Sequence, residues 1–148
     1  MPTYTVKTAN VALTETQRQR IATLITEAHS RNTGAPGYFA QVFFEAAGPG
    51  AHFIGGRPNP VPHVYVHGLV RAGRTPEQKR GLTEALCAQL GPAAGVGPED
   101  VWVYLQEIAA EQMIEFGRTL PAPGQEAAWR QGFSPEKLGA FQRAGVAI

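Results

Sequence analysis

In MPTYTV a proline stands directly behind the initiator methionine. Residue 2 is small, so removal of Met1 is expected. Pro2 would then carry a free secondary amine, a nucleophile and proton carrier that no internal proline offers. An α-amino group titrates near pH ~8 in model peptides, so modest tuning makes it a usable acid or base at neutral pH. A second candidate is RAGRT (71–75), in which Arg71 and Arg74 stand where a strand gives way to a helix. Guanidinium groups there suit a carboxylate through planar, bidentate hydrogen bonds, and a helix start adds partial positive charge. Together these residues suggest acid–base chemistry on a bound carboxylate.

Three further residues are candidates: His29 at the end of the first predicted helix, Tyr104 in VWVYLQE, and Glu115 in QMIEFGRT. Taken singly, each has a plainer reading. The arginines could be solvated loop residues, His29 a histidine facing a helix dipole, Tyr104 a core or interface tyrosine, and Glu115 a surface carboxylate. Other chemistries lack a pattern. His63 and His67 share a strand face but are ~13 Å apart at ~3.3 Å per residue, too far for one metal. There is no H-E-x-x-H pair, no phosphate loop and no G-x-S-x-G elbow, so no metal site is expected.

Composition bounds the rest. With 148 residues and 43% hydrophobic content the chain predicts a single domain with a real core. The net charge is +1, from 13 basic and 12 acidic residues without a basic run, which argues against nucleic acid. Cys87, the one cysteine, excludes an internal disulfide and reads as a small buried hydrophobe. No signal peptide and no apolar run of ~18 residues is evident, so no membrane association and a cytoplasmic protein are expected.

The elements that must position the candidates follow from a repeat. Shifted by 61 residues, the chain falls on itself without gaps: Tyr4 on Tyr65, Thr14 on Thr75, Gln17 on Gln78, Gly34 on Gly95 and Val42 on Val103. Each copy reads as strand, helix, strand. TYTVK and HVYVHGL are strand-like, as are YFAQVFFE (38–45) and VWVYLQE (101–107). TETQRQRIATLITEAH places Ile21, Leu24, Ile25 and Ala28 on one helical face behind a Thr14–Gln17 capping box. TPEQKRGLTEALCAQL repeats the device with Thr75, Gln78 and Pro76. The expected fold is α/β (α+β): a single domain over 2–148, with pseudo-repeats at about 2–60 and 61–120 and a C-terminal extension. Two β-α-β units with parallel strands make a four-stranded sheet with two helices on one face. The other face, with Val, Phe and Tyr on it, has no cover from this chain, which implies a homo-oligomer. Arg71, Arg74 and Glu115 fall on Asn10, Leu13 and Ile54 of the first copy, so one site per duplicated unit is expected.

MPTYTV, TEAH, VYVHGLVRAGRT, VWVYLQE, and QMIEFGR followed by LPAPGQEAAW resemble the tautomerase superfamily over about residues 2–130, and within it the branch of cis-3-chloroacrylic acid dehalogenase. The resemblance implies a homotrimer of β-α-β duplications with sheets facing a central core, and no metal or organic cofactor. It implies Pro2 as the catalytic amine, His29, Arg71 and Arg74 as ligands of a substrate carboxylate, and Tyr104 with Glu115 as activators of water. The expected activity is hydration of a small unsaturated carboxylate: dehalogenation of a cis-3-haloacrylate to malonate semialdehyde, or hydration of an acetylenic acid. A keto–enol tautomerase with Pro2 as general base, and a non-catalytic binding module on the same fold, are the alternatives. RNTGAPGY (31–38) is expected to form a lid over the site.

Overall fold

The structure is a computed structural model that describes residues 2–146. Four strands form the main sheet: β1 (Thr3–Ala9), β2 (Gln41–Ala46), β5 (His63–Arg71) and β6 (Val101–Ile108), in the order β2-β1-β5-β6. The pairs β1–β2 and β5–β6 are parallel, each closed by a crossover helix, and β1 meets β5 antiparallel. The helices are α1 (Glu15–Thr33) and α2 (Pro76–Ala94). Two small hairpins follow the repeats, β3–β4 (Phe53–Ile54 and Arg57–Pro58) and β7–β8 (Ile114–Glu115 and Arg118–Thr119). The C-terminal extension adds α3 (Glu126–Arg130) and α4 (Pro135–Arg143). The 61-residue offset carries α1 onto α2 and β3–β4 onto β7–β8 residue for residue.

Local chemistry explains the matching ends. Thr14 and Thr75 each accept from the backbone N–H of Gln17 and Gln78, whose side chains return a bond to the cap backbone. Gly34 and Gly95 close the helices at φ 72° and 78°, left-handed values that a Cβ disfavours. Tyr4, Val6, Val64, Val66 and Val70 of the sheet pack on Ile21, Ile25, Leu82, Leu86 and Leu90 of the helices to form the core. The valines thus face the helices. The opposite sheet face is mixed, with Phe43, Trp102 and Tyr104 exposed beside a Lys7–Glu45 ion pair. Cys87 is only half-buried, packed at the rim of the core.

Two expected boundaries move. The second strand begins at Gln41, because Gly37–Phe39 makes a 3-10 turn instead of extended chain. Residues 31–33 belong to α1, so the lid expected over 31–38 is reduced to a short connection after Gly34.

Gly68 of β5 lies opposite Tyr4 of β1 and Leu105 of β6. A Cβ on Gly68 would come within 2.6 Å of the Tyr4 ring and 2.8 Å of Leu105. Gly68→Ala is therefore expected to destabilise the fold by about 1–3 kcal/mol, an overpacking cost, measurable as a lower denaturant midpoint.

Candidate active site

Antiparallel pairing places Thr3 opposite Leu69, so the start of β1 lies beside the last residues of β5. Pro2, Arg71, Arg74 and His29 consequently line one narrow cleft, of about 310 Å³ counted out to its open mouth. Ala35 and Phe39 form its apolar wall and Glu126 of α3 closes one side. Pro2 is buried, and its carbonyl accepts from the Gln41 N–H at 3.1 Å. Met1 lies outside the described residues, and with it the expectation that it is removed.

His29 is not at a helix end. It sits one turn inside α1, which runs on to Thr33, and it is buried. Its Nδ1 lies 2.7 Å from the Tyr4 hydroxyl. Burial, and then the charge of Arg74, lower the His29 pKa to about 4, so the ring is neutral at neutral pH. Burial also pushes the Tyr4 phenol well above its ordinary value. Tyr4 is fully buried, and among the described residues its hydroxyl has no other hydrogen-bond partner. The phenol must therefore donate to Nδ1, which leaves the proton of the neutral imidazole on Nε2. His29 can then offer an uncharged N–H donor to an anion.

Arg71 ends β5 and is 7% exposed. Its two terminal nitrogens are engaged: one donates to the Pro121 carbonyl at 2.5 Å and the other to Glu126 Oε1 at 2.5 Å. Its Nε is buried and has no hydrogen-bond partner among the described residues. Arg74 precedes the N-cap of α2, near the Glu107 carboxylate, which takes Lys79 Nζ at 2.8 Å and which Lys79 and the Arg74 and Gly73 backbone hold below its ordinary pKa. No hydrogen bond or ion pair fixes the Arg74 guanidinium among the described residues. Burial and the neighbouring charge of Arg71 lower its pKa. With Arg71 paired to Glu126, the Arg74 charge is the one left to favour an incoming anion.

Glu115 ends β7 and is half-buried. Burial raises its pKa, against the pull of Arg71, whose charge it feels. A carboxylate of raised basicity is better suited to taking a proton at neutral pH. Phe116 and Gly117, which follow, both have positive φ, 52° and 75°. This is the geometry of a tight hairpin turn, and in the first copy it falls to Gly55 and Gly56. Phe116 adopts it at a cost because its ring packs on Trp129, Phe133 and Phe141 of the C-terminal extension.

Tyr104 is not brought to the cleft within one chain. It stands on the opposite sheet face, 55% exposed, edge-on to Tyr65 at 5.3 Å.

The Tautomerase_3 family model, described as "Putative oxalocrotonate tautomerase enzyme", matches residues 1–132. The chain belongs to the tautomerase superfamily. Within it, the chain belongs to the cis-3-chloroacrylic acid dehalogenase branch. It is 34% identical to a solved structure of N1, a member of the cis-3-chloroacrylic acid dehalogenase family, covering 95% of this chain and 99% of that one with a TM-score of 0.86. The fold recurs in a native fused 4-OT at 23% identity and TM-score 0.74, over 82% of this chain and 98% of that one. It recurs also in a fused 4-OT described as a wild-type symmetric trimer, at 22% identity and TM-score 0.73, again over 82% and 98%. No curated protein matches the chain. Among the described residues, no helix is long and apolar enough to cross a membrane, and no group of three or more His, Cys, Asp or Glu could hold a metal.

Sequence reasoning missed Glu126, which lines this tautomerase-superfamily cleft, and Tyr4, which lies behind it and holds His29. Tyr4 shares the inward face of β1 with Pro2, a period of two that could have drawn attention to it. Glu126 lies in the extension beyond the repeats, where no periodic pattern marks it.

The His29 ring should titrate near pH 4, against an ordinary value of 6.5. The unfolded chain then binds more protons between these values, so its contribution to stability is full above about pH 6.5 and is lost as pH falls towards about 4. Nitrogen-detected NMR should show the Nε2–H tautomer at pH 7, and Tyr4→Phe should release the ring into a mixture of tautomers. An unchanged tautomer in Tyr4→Phe would mean that another group holds Nδ1.

Proposed function

We propose that this protein hydrates a small unsaturated carboxylate, by dehalogenating a cis-3-haloacrylate or hydrating an acetylenic acid. The observation that carries the reading is the meeting of Pro2, His29, Arg71 and Arg74 in one small cleft, with the basic carboxylate of Glu115 close enough to feel the Arg71 charge. With Met1 removed, Pro2 is a secondary amine. Arg74, the Nε of Arg71 and His29 Nε2–H hold the substrate carboxylate. This draws electron density towards that end and leaves C-3 electrophilic. Glu115 takes a proton from water, the water oxygen bonds to C-3, and protonated Pro2 delivers a proton to C-2. With a halogen on C-3, the halohydrin loses halide and its hydroxyl proton to give malonate semialdehyde. With an alkyne acid, the enol produced by hydration ketonises to the same aldehyde. Glu115 favours the prolyl cation and the two arginines oppose it, so their balance sets the protonation state of Pro2.

Tyr104 can assist Glu115 only from another copy of the chain. The exposed Phe43, Trp102 and Tyr104 supply a surface for such a copy, and a solved relative of the fold is described as a symmetric trimer. A homotrimer with the sheets inward is the proposed assembly. Analytical ultracentrifugation should give a three-chain species; a stable monomer at micromolar concentration would remove both the assembly and the role of Tyr104.

The absence of Tyr104 from the cleft within a chain, and the description of the matching family model, favour a second reading: keto–enol tautomerisation with neutral Pro2 as base. Glu115→Gln separates the two. It preserves size and removes the base, a group whose contribution is typically about 10²–10⁴-fold. Hydration of cis-3-chloroacrylate and propiolate, followed by proton NMR, should fall by that factor, while ketonisation of an enol pyruvate is spared. Loss of the negative charge should also lower the Pro2 pKa. Hydration that survives in Glu115→Gln eliminates the mechanism, and a wild type that only ketonises enols leaves the tautomerase. Intact mass of the active protein checks that Met1 is gone.

A further inference from the structure

We infer that Glu126 is a specificity-determining residue: its carboxylate, held on Arg71, cancels one of the two arginine charges and makes the cleft select a monocarboxylate over a dicarboxylate. The inference deepens the reading above and rests on the cleft being a carboxylate site.

Glu126 does what a substrate carboxylate would do. Its Oε1 takes one terminal nitrogen of Arg71 at 2.5 Å, and it lines the same cleft as Arg74. The pair is nearly dry, with the two side chains 7% and 14% exposed, so solvent screens it little. Burial alone would raise the Glu126 pKa, but the hydrogen bond and charge of Arg71, with the backbone of Glu126 and Gly124, outweigh it and hold the carboxyl below its ordinary value. Glu126 is therefore ionised at neutral pH. The same carboxylate also acts on the Arg74 charge. The two arginines and Glu126 together leave one positive charge, which one carboxylate satisfies. Protonated Pro2 is offset by Glu115, so a second carboxylate would meet Glu126 and Glu115 with both of their cations already compensated.

The placement of Glu126 is built, not incidental. The Pro121 carbonyl takes the other terminal nitrogen of Arg71, so residues 121–126 grip the guanidinium from two sides. Trp129, one turn after Glu126, packs tilted against Phe39 of the cleft wall at 5.7 Å and under Arg118 at 4.5 Å. Its Nε1 donates to the Thr119 carbonyl.

The test measures binding of two saturated three-carbon acids that cannot be hydrated, propionate (one charge) and malonate (two charges), to the full chain at pH 8 by titration calorimetry. Wild type should prefer propionate, and Arg74→Ala should lose both. Glu126→Gln keeps an acceptor for Arg71 and removes the charge, and should shift the malonate-to-propionate affinity ratio by about tenfold or more towards malonate. Removing one partner of a buried pair can prevent folding, so a second comparison uses Arg71→Gln and the double variant Arg71→Gln/Glu126→Gln. The single variant loses the Arg71 contact and leaves Glu126 uncompensated, so it should weaken propionate; the double variant removes the uncompensated charge and should recover part of the loss. An unchanged ratio in Glu126→Gln, or a double variant no better than Arg71→Gln, overturns the role of Glu126 while leaving the cleft as a carboxylate site. If propionate binding ignores Arg74→Ala, the carboxylate reading fails and this inference fails with it.

Discussion

The antiparallel contact between β1 and β5 is the constraint on which the site depends. Each β-α-β unit alone would present a two-stranded parallel sheet with one helix, a small unit that buries little apolar surface. Joining the units through their first strands makes one sheet and one core, from Tyr4 and Val6 on one side to Val64, Val66 and Val70 on the other. Because the joined strands run in opposite directions, the beginning of β1 meets the end of β5. A residue at the front of the chain, Pro2, thereby arrives beside Arg71, and beyond it Arg74.

The same contact prepares His29. Tyr4 packs over the bare backbone of Gly68, and from there its hydroxyl reaches back to Nδ1 of α1. Fold packing and site chemistry are thus one feature at this point. The ring that fills the core above β5 also chooses the tautomer of the histidine. Such a buried, fully paired polar contact is costly to disturb, since an orphaned member has no water to turn to.

The C-terminal extension plays a different part. It adds no strand to the sheet, yet it carries Glu126 and Pro121 onto Arg71 and packs Trp129, Phe133 and Phe141 against Phe116. The duplicated scaffold is symmetric in outline. The extension breaks that symmetry, converting the hairpin that is glycine-turned in the first copy into one that bears Glu115 and a strained Phe116 in the second.

Much of this was legible in the sequence because it depends on local rules. Capping boxes at Thr14 and Thr75, glycine at 34 and 95, helical spacing from Ile21 to Ala28, and strand alternation all act within a few residues. The 61-residue repeat doubled each of those signals. Pro2, Arg71 and Arg74 stood out for residue type and position and Glu115 through the family resemblance; the fold brings the first three into one cleft and puts Glu115 within reach of the Arg71 charge. Only the tertiary structure decided the rest, because it turns on distances between residues far apart in the chain. It placed His29 inside the helix and on Tyr4, where burial keeps it neutral. It committed two nitrogens of Arg71 to Pro121 and Glu126, some fifty residues away. It also put Tyr104 on the far face of the sheet, since strand alternation fixes which residues share a side but not which side closes the cleft.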